Sequence, residues 1–174
     1  MPNHNASYYF LDRHLESAIG HNTVFVEADG KKRQITYEAL SKESGKMVDF
    51  YARHSVSRET RAAMIVLDKI EFPIIFWGSL KAGIVPVAVN TLLSTDVYDT
   101  ILRDSRAEVV FVSEELLPVV SPAIEGNPFI KKVFVIGDSP GDFLSFHDEL
   151  AKCEEGVSIW VSADECAFWL YSSG

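Results

Sequence analysis

Five short, largely apolar runs recur along this chain, and each is separated from the next by a stretch with helical spacing. They are Ala62–Leu67, Val85–Val89, Glu108–Val112, Lys132–Ile136 and Cys166–Tyr171. An unbroken apolar run, as opposed to an alternating one, marks a strand buried on both faces, which is the habit of parallel sheets covered by helices. The intervening segments supply those helices. Glu71–Leu80 carries Phe72, Ile74, Ile75, Phe76, Trp77 and Leu80 almost all the way round, so it must pack on several sides. Pro73 sits near its first turn and Gly83 is placed as its stop. Ser94 caps the next helix, which turns Val97, Tyr98, Ile101 and Leu102 inward and ends near Asp104. A short helix is expected around Glu115–Val120. A turn from Gly137 to Gly141 then leads into a helix holding Phe143, Leu144, Phe146 and Leu150. Strand alternating with helix in this way gives an α/β fold with a mainly parallel sheet flanked by helices.

The beginning of the chain reads differently. Thr23–Ala28 is rich in β-formers and is followed by the turn pair Asp29-Gly30, with Arg33–Ile35 as the returning strand of a small N-terminal hairpin. Thr36 then caps a helix running to about His54, with Tyr37, Leu40, Ser44, Met47, Val48 and Tyr51 on one stripe. Ala151–Ala163 is polar and loosely patterned, and no internal repeat is present. The organisation expected is therefore an N-terminal helical arm over 1–22, an α/β subdomain over 23–150, and a connection with a final strand over 151–174.

Composition narrows the function. With 174 residues, 47% of them hydrophobic and 24% charged, the chain can bury an ordinary core. Sixteen Lys and Arg against 25 Asp and Glu give a net charge of −9, a field that argues against nucleic-acid backbones and anionic membranes as partners. Cys153 and Cys166 are too few for a disulfide framework and lack metal-site spacing, so they read as indifferent thiols in a reducing compartment. Met1–Arg13 shows no secretory pattern, no apolar run approaches the roughly 20 residues of a membrane span, and a cytoplasmic location is expected. Asn5-Ala6-Ser7 then matches a glycosylation sequon by chance. The dinucleotide, Walker-type and zinc-protease motifs and the hydrolase elbow are all missing. His4, His14, His21, His54 and His147 are scattered and suggest no metal site, and Glu114-Glu115 and Glu154-Glu155 read as solvated faces.

One segment is placed to do chemistry. Tyr171-Ser172-Ser173-Gly174 follows an apolar strand and so lies at the C-terminal edge of a parallel sheet, where α/β folds bind ligands. Serine hydroxyls and the open backbone of glycine can close around phosphate oxygens. Alone, such a segment is indistinguishable from a plain loop. In context, Phe168-Trp169-Leu170-Tyr171-Ser172-Ser173-Gly174 resembles the opening of the phosphate loop of the adenylate-forming acyl- and aryl-CoA synthetases. That loop reads approximately Tyr-Ser/Thr-Ser-Gly-Ser/Thr-Thr-Gly-x-Pro-Lys-Gly. Ile35-Thr36-Tyr37-Glu38-Ala39-Leu40 resembles the same family's strand-to-helix entry, and Trp77 to Val87, with Lys81-Ala82-Gly83 at its centre, resembles its helix–Lys-Ala-Gly–strand signature. Within the superfamily the likeness points to benzoate–coenzyme A ligases, through Tyr9 to Leu15, Leu67-Asp68, Phe76-Trp77-Gly78, Pro86 to Leu93, and Asp104-Ser105-Arg106-Ala107.

The resemblance implies an N-terminal part of a two-step ligase. A small aromatic carboxylate such as benzoate attacks the α-phosphate of ATP, with Mg²⁺, giving an acyl-adenylate and pyrophosphate. The thiol of CoA then displaces AMP. It further implies that Ser172, Ser173 and Gly174 cradle the ATP phosphates, while Tyr171 positions the loop by packing. The rest of the loop, the acid pocket, the ribose-binding aspartate and the catalytic lysine of the family lie beyond this sequence, so no catalytic or metal-binding residue is assigned and the 174 residues alone are expected to be inactive. Two alternatives stand beside this: a non-catalytic α/β module that binds a nucleotide or partner, and a module supplying a homodimer interface. Other landmarks have plain expected roles. Trp77 and Trp169 belong in the core, Lys81 is a solvated helix-end lysine, Asn90-Thr91 makes a turn, and Arg103 and Arg106 pair with Asp104 or Glu108.

Overall fold

The computed structural model describes residues 4–28, 32–138 and 140–172. A short helix, α1 (Ala6–Phe10), and two 3-10 turns (Asp12–His14 and Ala18–His21) lead to the hairpin strands β1 (Thr23–Val26) and β2 (Gln34–Thr36). These pair antiparallel, with Phe25 opposite Ile35 and Val26 opposite Gln34. The expected turn pair Asp29-Gly30 lies outside the described residues. Then come α2 (Tyr37–Arg53), β3 (Arg61–Ile65), α3 (Glu71–Lys81), β4 (Val85–Ala88), α4 (Thr95–Ser105) and β5 (Val109–Ser113). The chain continues through α5 (Leu117–Ile124), β6 (Lys132–Ile136), β7 (Leu144–Ser145), α6 (Phe146–Ala151) and β8 (Trp169–Leu170). The last six strands form one sheet in the order β7-β6-β5-β3-β4-β8, and every pairing in it is parallel.

Alternation along the strands explains why their sequences read as unbroken apolar runs. Ala62 and Met64 of β3 face a core shared with Leu40, Met47, Phe50 and Tyr51 of α2, Ile74 and Ile75 of α3, and Phe146 of α6. Their neighbours Ala63 and Ile65 face the opposite core, shared with Tyr98, Ile101 and Leu102 of α4 and Val120 and Ala123 of α5. A polar residue at either register would be buried without a partner.

Two of the helix signals in the sequence hold in detail, whereas Ser94 stands at the start of α4 with no capping bond from its side chain. Thr36 Oγ1 accepts the amide of Ala39 at 3.2 Å, capping α2. At the other end of α3, the amide of Gly83 donates to Leu80 O and that of Ile84 to Ser79 O, the paired bonds of a left-handed C-terminal stop. Gly83 has φ +67°, so the backbone favours glycine, and a Cβ there would also have to push aside the end of the Ile159 side chain, 2.3 Å away. The helix expected to hold Phe143 and Leu144 begins later. Leu144-Ser145 instead adds a short strand to β6, with Leu144 opposite Phe134, and Ser145 Oγ accepts the amide of Asp148 to cap α6. A serine two residues inside an apolar pattern is a better helix start than interior.

His54, at the end of α2, lies between the rings of Phe50 (4.8 Å) and Phe134 (4.7 Å), with Nε2 3.2 Å from Glu149 Oε2 on α6. Burial pushes its pKa below the ordinary value, outweighing Glu149, and Lys132 and Lys152 act in the same direction as burial. The unfolded chain therefore takes up this proton first, and stability falls as pH drops below about 6.5, the unfolded value. The expected result is a melting temperature that declines between pH 7.5 and 5.5, with a shallower decline in His54→Gln. Equal slopes in both proteins would show that His54 plays no part.

Candidate functional site

Among the described residues β8 is an edge strand of the sheet and pairs with β4, Val87 opposite Trp169 and Ala88 opposite Leu170. Asn90 and Ser172 each lie two residues beyond the last paired position of their strands. Asn90 makes the expected turn: its Oδ1 accepts the amide of Leu92 at 2.8 Å, and its carbonyl accepts the hydroxyl of Tyr98 at 3.0 Å. Of the three residues expected to cradle phosphate, Ser172 is exposed at this edge. Ser173 and Gly174 lie outside the described residues.

The side chains that root this segment differ from expectation. Trp169 is not in the core but 38% exposed on the edge strand, where its Nε1 donates to Cys166 Sγ at 3.1 Å. Trp77, by contrast, packs half-buried against the α2–α3 core. Tyr171 does more than pack. Its hydroxyl donates to Asp104 Oδ2 at 2.6 Å, and burial, followed by that carboxylate, pushes its pKa up to about 12. Asp104 is thus taken by Tyr171 and Glu108 by Lys131, so neither arginine pairs as expected. Arg103 reaches back one helical turn to Asp99 at 2.8 Å, and Arg106 ends α4 at φ 49° with its guanidinium near the Phe129 ring.

A second concavity lies where the sheet changes direction. β3 leads through α3 to β4 on one side, and β5 leads through α5 to β6 on the other, with the two helices on opposite faces. The crevice between the C-terminal ends of β3 and β5 is the position where open α/β sheets hold ligands. It has a volume of about 400 Å³ and is lined by Arg33, Lys69, Glu71, Glu114, Glu115 and His147, among others. Its charges are consumed internally. Arg33 binds Glu71 through both terminal nitrogens (2.9 and 2.8 Å) and Glu27 through Nε (3.0 Å) and Nη2 (2.5 Å). Lys69 pairs with Glu115 at 2.6 Å, and Glu114 accepts the amide of Asp138. Burial acts to raise Glu71, but the Arg33 hydrogen bonds, a backbone hydrogen bond and the charges of Arg33 and His147 together outweigh it and hold its carboxyl below the usual value, and the same arginine lowers Glu27. Among the described residues no group of three His, Cys, Asp or Glu side chains is arranged to hold a metal ion, and no helix is long and apolar enough to cross a membrane.

A family profile described as AMP-binding enzyme matches residues 13–174. The chain belongs to the AMP-binding enzyme family. Among curated members of that family it is 37% identical over 172 residues to a 4-hydroxybenzoate–CoA/benzoate–CoA ligase of Rhodopseudomonas palustris, covering 98% of this chain and 31% of that one. It is 33% identical over 176 residues to a benzoate–CoA ligase of Thauera aromatica, with 98% and 32% covered. Among solved structures, the anthranilate CoA ligase AuaEII in complex with anthranoyl-AMP superposes with a TM-score of 0.88 at 28% identity, covering all of this chain and 32% of that one. The chain therefore spans about a third of the length of these relatives, and its parallel sheet, flanking helices and small hairpin match the N-terminal region of the family fold.

Proposed function

We propose that these residues form the N-terminal part of an ATP-dependent aryl-CoA ligase that activates benzoate or a related aromatic acid in the cytoplasm. The observation that supports this most is the 37% identity, across 98% of the chain, to a 4-hydroxybenzoate–CoA/benzoate–CoA ligase. In this reading, 1–22 is an arm, 23–150 the supporting α/β unit, and 151–174 delivers the phosphate loop. Ser172, Ser173 and Gly174 begin a cradle of hydroxyl and amide donors for the phosphates of ATP. Such donors neutralise charge as the acid carboxylate attacks the α-phosphate and pyrophosphate leaves, before the CoA thiol displaces AMP. Among the described residues no three His, Cys, Asp or Glu side chains come together to hold a metal ion, and none of them is assigned to Mg²⁺.

The deciding test is the reading frame downstream of the Gly174 codon. Continuation into Ser/Thr-Thr-Gly-x-Pro-Lys-Gly, together with benzoate-dependent exchange of pyrophosphate into ATP by the longer product, supports the reading. A stop codon there overturns it. The 174-residue chain alone is expected to show no such exchange.

A second reading, an association module, is favoured by one observation. Tyr8, Tyr9 and Phe10 are each more than half exposed, and a chain of ring contacts joins Phe10 to Trp77 (5.8 Å), Trp77 to Phe76 (5.3 Å) and Phe76 to Phe168 (5.5 Å). Exposed apolar surface of this kind marks an interface. The chain is expected to self-associate through it, with light-scattering mass rising with concentration. A monomer at high micromolar concentration would dispose of this reading.

A further inference from the structure

We propose that Asp104 is a positioning residue for the phosphate loop, acting through Tyr171 to fix the backbone that presents Ser172. The proposal rests on the ligase reading above, since it assigns the loop the work of holding ATP.

Among the described residues the sheet holds this segment through one short pairing. β8 is two residues long, has one neighbour, and leaves Trp169 and Leu170 exposed. A cradle that must hold several phosphate oxygens gains from donors already fixed before the ligand arrives, and loosely rooted donors lose that advantage. What roots the loop is α4. Strand alternation sends Phe168 toward Phe76 of α3 on one face, and Trp169 and Tyr171 toward the C-terminal end of α4 on the other.

Three contacts meet there. The Tyr171 hydroxyl donates to Asp104 Oδ2 at 2.6 Å, the length of a charge-assisted bond. Arg61, the first residue of β3, donates through Nε to Ser105 O at 2.9 Å and through Nη2 to Arg106 O at 3.4 Å, tying the last turn of α4 to the sheet. The same guanidinium lies 5.8 Å from the centre of the Trp169 ring. Asp104 therefore stands on a helix end that the sheet itself holds. Arg103, the nearest cation in sequence, is turned away to Asp99, leaving the Asp104 carboxylate to the phenol. Tyr171 is adjacent in the chain to Ser172, so fixing its side chain fixes the peptide from which the loop departs.

The first arm of the test uses the 174-residue chain with ¹³Cζ-labelled tyrosine, the Tyr171 signal being assigned by its loss in Tyr171→Phe. Tyr171 is expected to titrate near 12 in the parent and to move toward the ordinary value of about 10 in Asp104→Ala. An unshifted Tyr171 in the parent, or one that Asp104→Ala leaves in place, overturns the tether. Asp104 is exposed, so this variant is not expected to threaten folding.

The second arm uses the longer reading frame that contains these residues. Asp104→Ala and Tyr171→Phe should each raise KM for ATP about tenfold, the equivalent of one charge-assisted hydrogen bond, while KM for the aromatic acid holds. Asp104→Asn keeps an acceptor for the phenol and should recover part of the loss. Equal effects on both KM values, or a lowered melting temperature with unchanged KM for ATP, would make the contact merely structural and overturn the positioning role. A longer product with no ATP-dependent activity overturns the ligase reading and the loop role with it, whereas the phenol titration still reads the tether.

Discussion

Arg33→Met is expected to lower the unfolding free energy by about 3 kcal/mol, the lower end of what breaking a buried ion pair costs. The lower end applies because the Arg33 side chain is 45% exposed, so water screens part of the interaction. The loss is still large because the partners are not exposed. Glu27 and Glu71 are 3% and 4% accessible, and Arg33 is the cation that both carboxylates bind, edge-on to one and end-on to the other. Glu27 also accepts the amide of Ile70 at 2.9 Å, just before α3 begins, so the network ties the hairpin to the start of that helix. Methionine would fill the volume and leave two buried anions, with His147 at 3.7 Å from Glu71 as the nearest further base. Urea denaturation at pH 7 measures the loss, and a change below about 1 kcal/mol, the worth of a surface pair, would refute the account. Arg33→Lys should rescue only in part, because one ammonium cannot satisfy two carboxylates in fixed fork geometry. The pH dependence follows from the same bonds. Both carboxyls are held below their ordinary value, so their contribution to the parent is present above about 4.3 and is lost as pH falls through and below it. The gap between parent and variant should therefore close in acid.

This network is also where reading the sequence reached its limit. Arg33 and Glu71 stand 38 positions apart, and nothing local distinguishes Glu71 from any acid in the first turn of a helix. Strand runs are legible because burial on both faces writes itself into consecutive residues, and helix ends are legible because Thr36 and Gly83 do local work at a cap and a left-handed stop. A buried charge is satisfied by distant partners and leaves no local trace. The same holds for β7, a strand of two residues, too short to carry a period. At the candidate site, the strand at Trp169–Leu170 was legible in the apolar run that ends at Tyr171. The Tyr171–Asp104 bond, spanning 67 positions, was not.

Lys81→Met carries the other large effect, and it separates two pictures of one residue. A solvated lysine at a helix end would contribute well under about 1 kcal/mol through the helix dipole and surface pairing. The structure places it elsewhere: Lys81 is 4% accessible, and its Nζ donates to Asp12 Oδ1 at 2.7 Å, Ser41 Oγ at 2.9 Å and Ser41 O at 3.0 Å. Ser41 Oγ in turn donates to Asp12 Oδ1 at 2.6 Å. The ammonium thus joins the turn at Asp12–His14, α2 and α3, while its own carbonyl accepts the amide of Ile159 from the connection that follows α6. An ammonium with three acceptors is fully satisfied, and removing it leaves Asp12 without its cation and takes the lysine's bond from Ser41 Oγ, while Ser41 O keeps the hydroxyl of Ser44. The expected loss is about 3 kcal/mol by urea denaturation, against less than about 1 kcal/mol for a solvated lysine. Because the turn at Asp12 is one anchor of the N-terminal arm, and Asn5 Nδ2 bound to Leu80 O at 2.7 Å is another, limited proteolysis should cut before residue 22 faster in the variant. Lys81→Met with Asp12→Asn should be less damaging than Lys81→Met alone, since the stranded anion is the larger part of the cost. If the single and double variants lose the same stability, the charge is not what matters at this site, and the loss belongs to packing along the lysine stem.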